Sequence, residues 1–254
     1  MSVRAYGFIP DRGAPLHPVF GSGAPFLVES APVASIGVSS HLAPIAHQRK
    51  NQSCVGEAIA SALYASAGAA GNPIPVVSPG FIWWMARAVD GEATNNIGTQ
   101  PRHAWHQVTT KGFVPEAAFP RDTPYTFAAR PDHFREAVDS TGVRTYAITQ
   151  SGAARSSAIR RAIASGYAVT LGIRVDDAFE ENKGQLWQCT GESRGLHYVF
   201  ACGYDKDALV LVNSWGSSWG DGGFAYMAWD AVERPQVAPA PVTSSVYAVA
   251  WVPT

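Results

Sequence analysis

LVNSWGSSWGDGGFAYM, Leu211 to Met227, reads as the end of one strand, a glycine-rich turn and the start of another. Asn213 closes the first strand and is followed by two Trp-Gly pairs, Trp215-Gly216 and Trp219-Gly220. Just upstream, HYVFACGYD runs from His197 to Asp205 and has the β-branched and aromatic character of a strand. His197 opens it, directly after a glycine-containing loop, where an imidazole would face a cleft. If the two strands pair antiparallel, Asn213 and His197 become neighbours. The Asn213 amide oxygen could then accept an imidazole N–H and fix its tautomer, with Trp215 screening that bond from water. A satisfied histidine at a strand end is the plain alternative.

An oriented imidazole suits an acid/base role beside a nucleophile. Cys54 is the candidate, in NQSCVGEAIASALYA, Asn51 to Ala65. Ala58, Ile59, Ala62, Leu63 and Ala65 recur at helical spacing, so Cys54 stands at a helix start. Unpaired N–H groups and the partial positive charge there favour a thiolate. A small buried hydrophobe is the ordinary reading of a free cysteine. The remaining histidines offer less. His17, His41 and His47 lie before Cys54, and His133 sits in a polar segment and is expected to be exposed. His103 and His106 have a spacing that could ligate a metal, but no acidic or cysteine cluster completes a site. No metal and no cofactor are expected.

Residues 10–46 are rich in Pro, Gly, Ala and Ser and read as an extended arm. Helices are expected from Ser53, over Ser78–Gly91 with Ser78 as cap and Pro79 in the first turn, up to about Gly112, and over Ser156–Gly166. Strands follow in YAVTLGIRV, HYVFACGYD, ALVLVNSW, GGFAYMAW and SVYAVAWV. Helices come mostly first and strands mostly later. That order predicts an α+β fold with segregated halves and a site in the cleft between them. The expected division is an arm over 1–46 and a domain over 47–254, helical to about 140 and β-rich from about 141.

With 254 residues, 46% hydrophobic and 15% charged, the chain can bury a substantial core. A net charge of −1 without like-charge blocks gives no basis for nucleic-acid or anionic-membrane partners. No apolar run reaches membrane-spanning length, and the N-terminus lacks the apolar core of a secretory signal. Cytoplasmic residence, or export without a classical signal, is the expectation. Three cysteines, Cys54, Cys189 and Cys202, do not make a closed disulfide framework. Oligomeric state is not legible.

The motifs together resemble the papain family of cysteine peptidases. That family carries a Gln, then Ser-Cys at the start of a long helix, a His opening a strand, and Asn-Ser-Trp-Gly. Here Gln48 lies six residues before Cys54, SCVGEA resembles the helix start, and NSWGSSWGDGGF the most specific motif. YGFIPD, FIWWMARAVDG, KGFVPEAAFPRDTPY and IASGYAVTLGIRVDDAFEE resemble segments of bacterial members, which suggests a bacterial or phage origin. The likeness covers roughly residues 40 to 230.

The resemblance implies a two-subdomain fold, a helical half beside an antiparallel barrel-like half. It implies peptide-bond hydrolysis through a Cys54 thioester. His197 would be acid/base and Asn213 its orienter. The Gln48 amide and the Cys54 N–H would hold the oxyanion, donors worth about 100- to 1000-fold each. Gly98 would pair with substrate backbone, and Tyr198 and Trp215 would line subsites. The chain departs from the pattern at Val55, Leu196, Tyr198 and Asn51. Tyr198 stands where a small residue usually lines the second substrate pocket and is expected to narrow it. No long propeptide precedes the domain, so control is sought in the 10–46 arm. The competing readings are a Cys-His amidase or peptidoglycan endopeptidase, and a catalytically silent peptide-binding module.

Overall fold

A computed structural model describes residues 5–21, 36–129, 132–138, 140–234 and 245–252. Helix α1 (Cys54–Ala69) is buried on almost every face, with Val55, Ile59, Ala62 and Leu63 fully covered. Its small residues let neighbours approach closely. A Cβ on Gly56 would lie 2.3 Å from the Pro79 carbonyl oxygen, so only glycine fits where α1 meets α2 (Pro79–Val89). Ser78 caps α2 as expected, its hydroxyl accepting the Phe81 N–H at 3.0 Å. Helix α3 (Pro101–Lys111) stops at Gly112, whose φ of 81° belongs to the left-handed region.

Helix α4 (Gly152–Ala164) begins four residues before the expected Ser156. Its early turn faces inward through Arg155, which donates to the Gln150 and Val232 carbonyls while its stem is covered. A buried arginine conceals the apolar stripe from a reading based on periodicity.

The strands form one sheet, ordered β2 (Val143–Ala147), β8 (Tyr247–Trp251), β3 (Ala168–Val175), β5 (Gly195–Tyr204), β6 (Ala208–Val212), β7 (Phe224–Ala228), β4 (Leu186–Trp187). A further short strand, β1 (Ile36–Gly37), pairs with the far end of β5. All neighbours are antiparallel except β4 and β7. The five expected strands are present. The short β1, β2 and β4 were not anticipated, nor were the brief helices α5 (Asp177–Glu180) and α6 (Trp229–Glu233).

Strand β5 explains the architecture. Its side chains alternate between two cores: Tyr198, Phe200 and Cys202 pack with α1, α2 and α3, and Val199 and Ala201 with α4 and the aromatic cluster of Trp187, Trp215 and Trp219. A strand buried on both faces reads as a continuous apolar run, as HYVFACGY does. His197 sits at its mouth opposite Ile173 of β3. No helix among the described residues is long and apolar enough to cross a membrane.

One buried carboxylate ties the loop before His197 to β3. Asp176 is fully covered. Its Oδ1 accepts from the Phe179 N–H at 2.9 Å and the Trp187 indole at 2.8 Å, and its Oδ2 from the Gly191 N–H at 2.9 Å. Asp176→Ala leaves buried donors unpaired and is expected to cost about 3 kcal/mol or more, read as a lower denaturant midpoint at unchanged m-value.

Candidate active site

The turn between Gln48 and α1 places a thiol, an amide donor and the β5–β6 edge together. Cys54 is the first residue of α1 and is completely buried. Backbone N–H groups of Tyr198, Gly7 and Val55 reach its sulfur, which sets the thiol beside the residue that follows His197. Antiparallel pairing of β5 with β6 brings Asn213 to His197, and His197 Nε2 lies 2.8 Å from Asn213 Oδ1. The same oxygen accepts the Ser214 N–H at 2.8 Å. A backbone N–H can only donate, so this atom is the oxygen and His197 Nε2 carries the proton. Trp215 covers the pair, its ring centroid 4.8 Å from the imidazole and nearly stacked on it.

Gln48 is gripped from the β6–β7 loop. Its N–H donates to the Ser214 carbonyl at 2.9 Å, and Ser214 Oγ donates to Gln48 Oε1 at 2.6 Å. That leaves Nε2 pointing outward, where it donates to the Asn51 carbonyl at 2.9 Å and the Ala5 carbonyl at 3.2 Å. Ser214 escaped the sequence reading as an individual residue, although it stands inside the Asn-Ser-Trp-Gly block.

The Ala5 contact belongs to a larger one: residues 5–9 lie across the site. Gly7 and Ile9 pair with Thr99, the Thr99 N–H donating to the Gly7 carbonyl and the Ile9 N–H to the Thr99 carbonyl, both at 3.0 Å. Tyr6 stands edge-on to His197 and Trp215 at 6.4 and 6.3 Å. Phe8 rests on Tyr198 at 5.4 Å. Gly7 passes so close that an added Cβ would fall 1.9 Å from the Gln52 carbonyl oxygen.

Covering the thiol changes its chemistry. Burial pushes Cys54 up to about 12, and the three backbone N–H groups offset this only in part. The expectation of a thiolate at the helix start therefore does not describe this covered state: desolvation outweighs the helix terminus. The covering segment meets the thiol through the Gly7 N–H.

The other expected site residues fall as follows. Gly98 packs against the Gly7 backbone, while the hydrogen bonds run through its neighbour Thr99. Tyr198 is 1% exposed; its hydroxyl is 3.0 Å from Thr170 Oγ1 and donates to the Ser245 carbonyl at 2.9 Å. The phenol is thus anchored in the core and its ring forms the surface under Phe8. The covering segment precedes the 10–46 arm in which control was sought. The described residues at the start of that arm run elsewhere, along β2 and α3: Phe20 donates to the Ala147 carbonyl, and Asp11 Oδ1 accepts the Arg102 N–H at 2.9 Å. Its end returns to the sheet, where Ile36 and Gly37 pair with β5 and the Ala46 carbonyl accepts the Gly216 N–H at 2.8 Å. Residues 22–35 of the arm lie outside the described residues.

His133 is half-buried between Phe119 and Phe127, contrary to the expected exposure, because flanking aromatics enclose it. His103 pairs with Asp90 at 2.9 Å. Among the described residues no group of three or more potential ligands could hold a metal. Cys189 and Cys202 are both free thiols.

A sequence model described as papain family cysteine protease matches residues 89–244, which include His197 and Asn213 and begin beyond Cys54. Among solved structures, xylellain, a cysteine protease from Xylella fastidiosa, has a TM-score of 0.80 at 19% identity over 98% of this chain and 97% of that one. Digestive procathepsin L 3 of the Tenebrio molitor larval midgut has a TM-score of 0.70 at 19% identity over 93% and 75%. The Gamete and mating-type specific protein A of Dictyostelium discoideum is 29% identical over 115 residues, 44% of this chain. The chain spans 25% of the length of that curated relative.

Proposed function

The chain belongs to the papain family of cysteine proteases, and from that premise we propose that it hydrolyses peptide bonds through a thioester on Cys54. With Nε2 committed to Asn213, His197 exchanges a proton with the thiol through Nδ1. When the cleft is open, the proton moves from Cys54 to His197 and the thiolate attacks a peptide carbonyl. Asn213 holds the imidazolium in register. The oxyanion is received by Gln48 Nε2 and the Cys54 N–H. His197 then gives its proton to the leaving amine, and water activated by the same ring hydrolyses the thioester.

The observation that carries this reading is Gln48 Nε2 donating to a peptide carbonyl, that of Ala5, in the segment whose Gly7 N–H reaches the thiol. A substrate carbonyl held by the same donor would be polarised for attack. Thr99, beside Gly98, offers an N–H and a carbonyl for an added peptide strand, as it does to residues 7–9. Phe8 on Tyr198 marks a place for an aromatic substrate side chain.

The test pairs labelling with turnover. An epoxysuccinyl inhibitor of papain-like enzymes is expected to add once, to Cys54 by peptide mapping, and to block hydrolysis of a fluorogenic peptide library. Cys54→Ser is expected to abolish both. Cleavage of muropeptides with no hydrolysis of linear peptides or casein would overturn the reading in favour of an amidase.

A further inference from the structure

Asn213 has a second half that the catalytic roles leave unused. Its Oδ1 is spoken for by His197 and Ser214, so its Nδ2 points the other way. That nitrogen is buried and has no hydrogen-bond partner among the described residues. Asn213 as a whole is 2% exposed. Nδ2 belongs to a residue lining a small cavity of about 10 Å³, room for a single water, shared with Glu57, Ser61, Tyr198 and Ser214.

Glu57 is an unusual residue to find there. It lies one turn into α1, three residues after Cys54, and is 3% exposed. Its Oε2 accepts from Arg121 Nη1 at 3.1 Å. Arg121 is otherwise committed to Glu116 at 2.6 and 2.7 Å. Buried carboxylates have room for about four acceptor contacts, and this pairing uses one.

We propose that Glu57 is a positioning residue for the catalytic site, acting through one water held between its carboxylate and the Asn213 side-chain amide. The inference rests on the roles given above to Cys54, His197 and Asn213. The water accepts the Asn213 Nδ2–H and donates to Glu57. The chain then runs from His197 Nε2–H to Asn213 Oδ1, and from Asn213 Nδ2–H through the water to Glu57 and Arg121. Each bond polarises the next, so an anion at the far end makes Asn213 Oδ1 a better acceptor for the imidazolium. It also resists the amide flip that would present a donor to His197. The charged and titratable groups acting on Glu57 are Arg121, which favours its anion, and Glu116 and Asp122, which oppose it. Its own charge in turn acts on Cys54. Burial pushes the Glu57 carboxyl up to about 7, so the anion is present on the alkaline side of neutrality, where the imidazolium most needs support.

The test uses the full-length chain. A high-resolution crystal structure is expected to show one water between Glu57 and Asn213 Nδ2. Alkylation of Cys54 by iodoacetamide is then followed from pH 5 to pH 9.5 in a Gly7→Val background, where residues 5–9 no longer cover the thiol, with each variant read as a ratio to that parent. The upper limb of that profile reports loss of the His197 proton. Glu57→Leu is expected to lower it by about one pH unit, a tenfold change in imidazolium stability. Ser61→Val, which fills the cavity without touching Glu57, should do the same. Glu57→Gln retains an acceptor for the water and should shift the limb by less than half as much. A limb that stays put in Glu57→Leu and Ser61→Val, whatever happens to Tm, would overturn the proposal. So would equal shifts in Glu57→Gln and Glu57→Leu with none in Ser61→Val, which means charge acting through space. Failure of the underlying roles looks different: the parent's alkylation would then be unaffected by His197→Gln, and both readings would go.

Discussion

Gly7→Val is expected to uncover Cys54 and raise its alkylation at pH 7 at least tenfold. The reason is steric and local. An added Cβ at residue 7 would lie 1.9 Å from the Gln52 carbonyl oxygen and 2.2 Å from its carbon, both backbone atoms that no side-chain rotation can move. The segment must leave, and with it go the Gly7 and Ile9 pairing to Thr99 and the Ala5 carbonyl on Gln48. Tenfold corresponds to removing about 1.4 kcal/mol of docking free energy, a small demand on so direct a clash. The pH dependence has a definite sign. Covered, the thiol is pushed up to about 12 by burial, so the thiolate is scarce at neutrality. Uncovered, water and the His197 partner both favour the charged form, and the titration moves down. The fold should survive, because Asp11 remains bound to the Arg102 N–H and the Tyr247 hydroxyl. Alkylation kinetics across pH decide the matter. An unchanged rate with an intact fold would mean that residues 5–9 do not limit access.

His197→Gln, made in the Gly7→Val background, is expected to lower kcat by about 10,000-fold or more. Removing the base from a coupled nucleophile–base pair has costs of this order, since the residues act as a unit. Glutamine keeps a polar side chain under Trp215 and can still meet Asn213, so the loss reports chemistry and not a collapsed site. Without the imidazolium, Cys54 titrates as an isolated thiol, near 8.5 in water and higher wherever it stays buried. Alkylation at pH 6 should therefore fall steeply while alkylation above pH 9 changes little. Progress curves with a fluorogenic peptide and pH-dependent alkylation give the two readouts. Retention of more than a hundredth of the parent kcat would deny His197 its place as acid and base.

Much of this arrangement could be read before any coordinates. Strand β5 announced itself because burial on both faces makes its sequence continuously apolar, and the Asn213–Gly220 block sits at a turn where two glycines and two indoles leave little freedom. The helix start at Ser78 was legible from capping chemistry, and the one near Cys54 from the spacing of its apolar residues. What stayed hidden obeys different physics. The start of α4 was masked by Arg155, a charged residue that is covered because backbone carbonyls satisfy it. β4 is two residues long and is recognisable only by its partner. The covering by residues 5–9 is mostly a backbone matter, decided by the missing side chain at Gly7, and no pattern of hydrophobicity records it. Glu57 reads in the sequence as an ordinary charge on a helix. Only the neighbouring sheet shows that it is enclosed.

Gln48 and Cys54 are joined by a turn of five residues, yet they answer to different parts of the molecule. The first is clamped by Ser214 from the sheet side and the second begins a helix packed on the opposite face. The short turn is in effect a rigid coupling between two mountings. Anyone transplanting this chemistry into another scaffold would have to carry residues 47–54 and 213–216 as a single part. Moved separately, either piece would arrive without the surface that aims it.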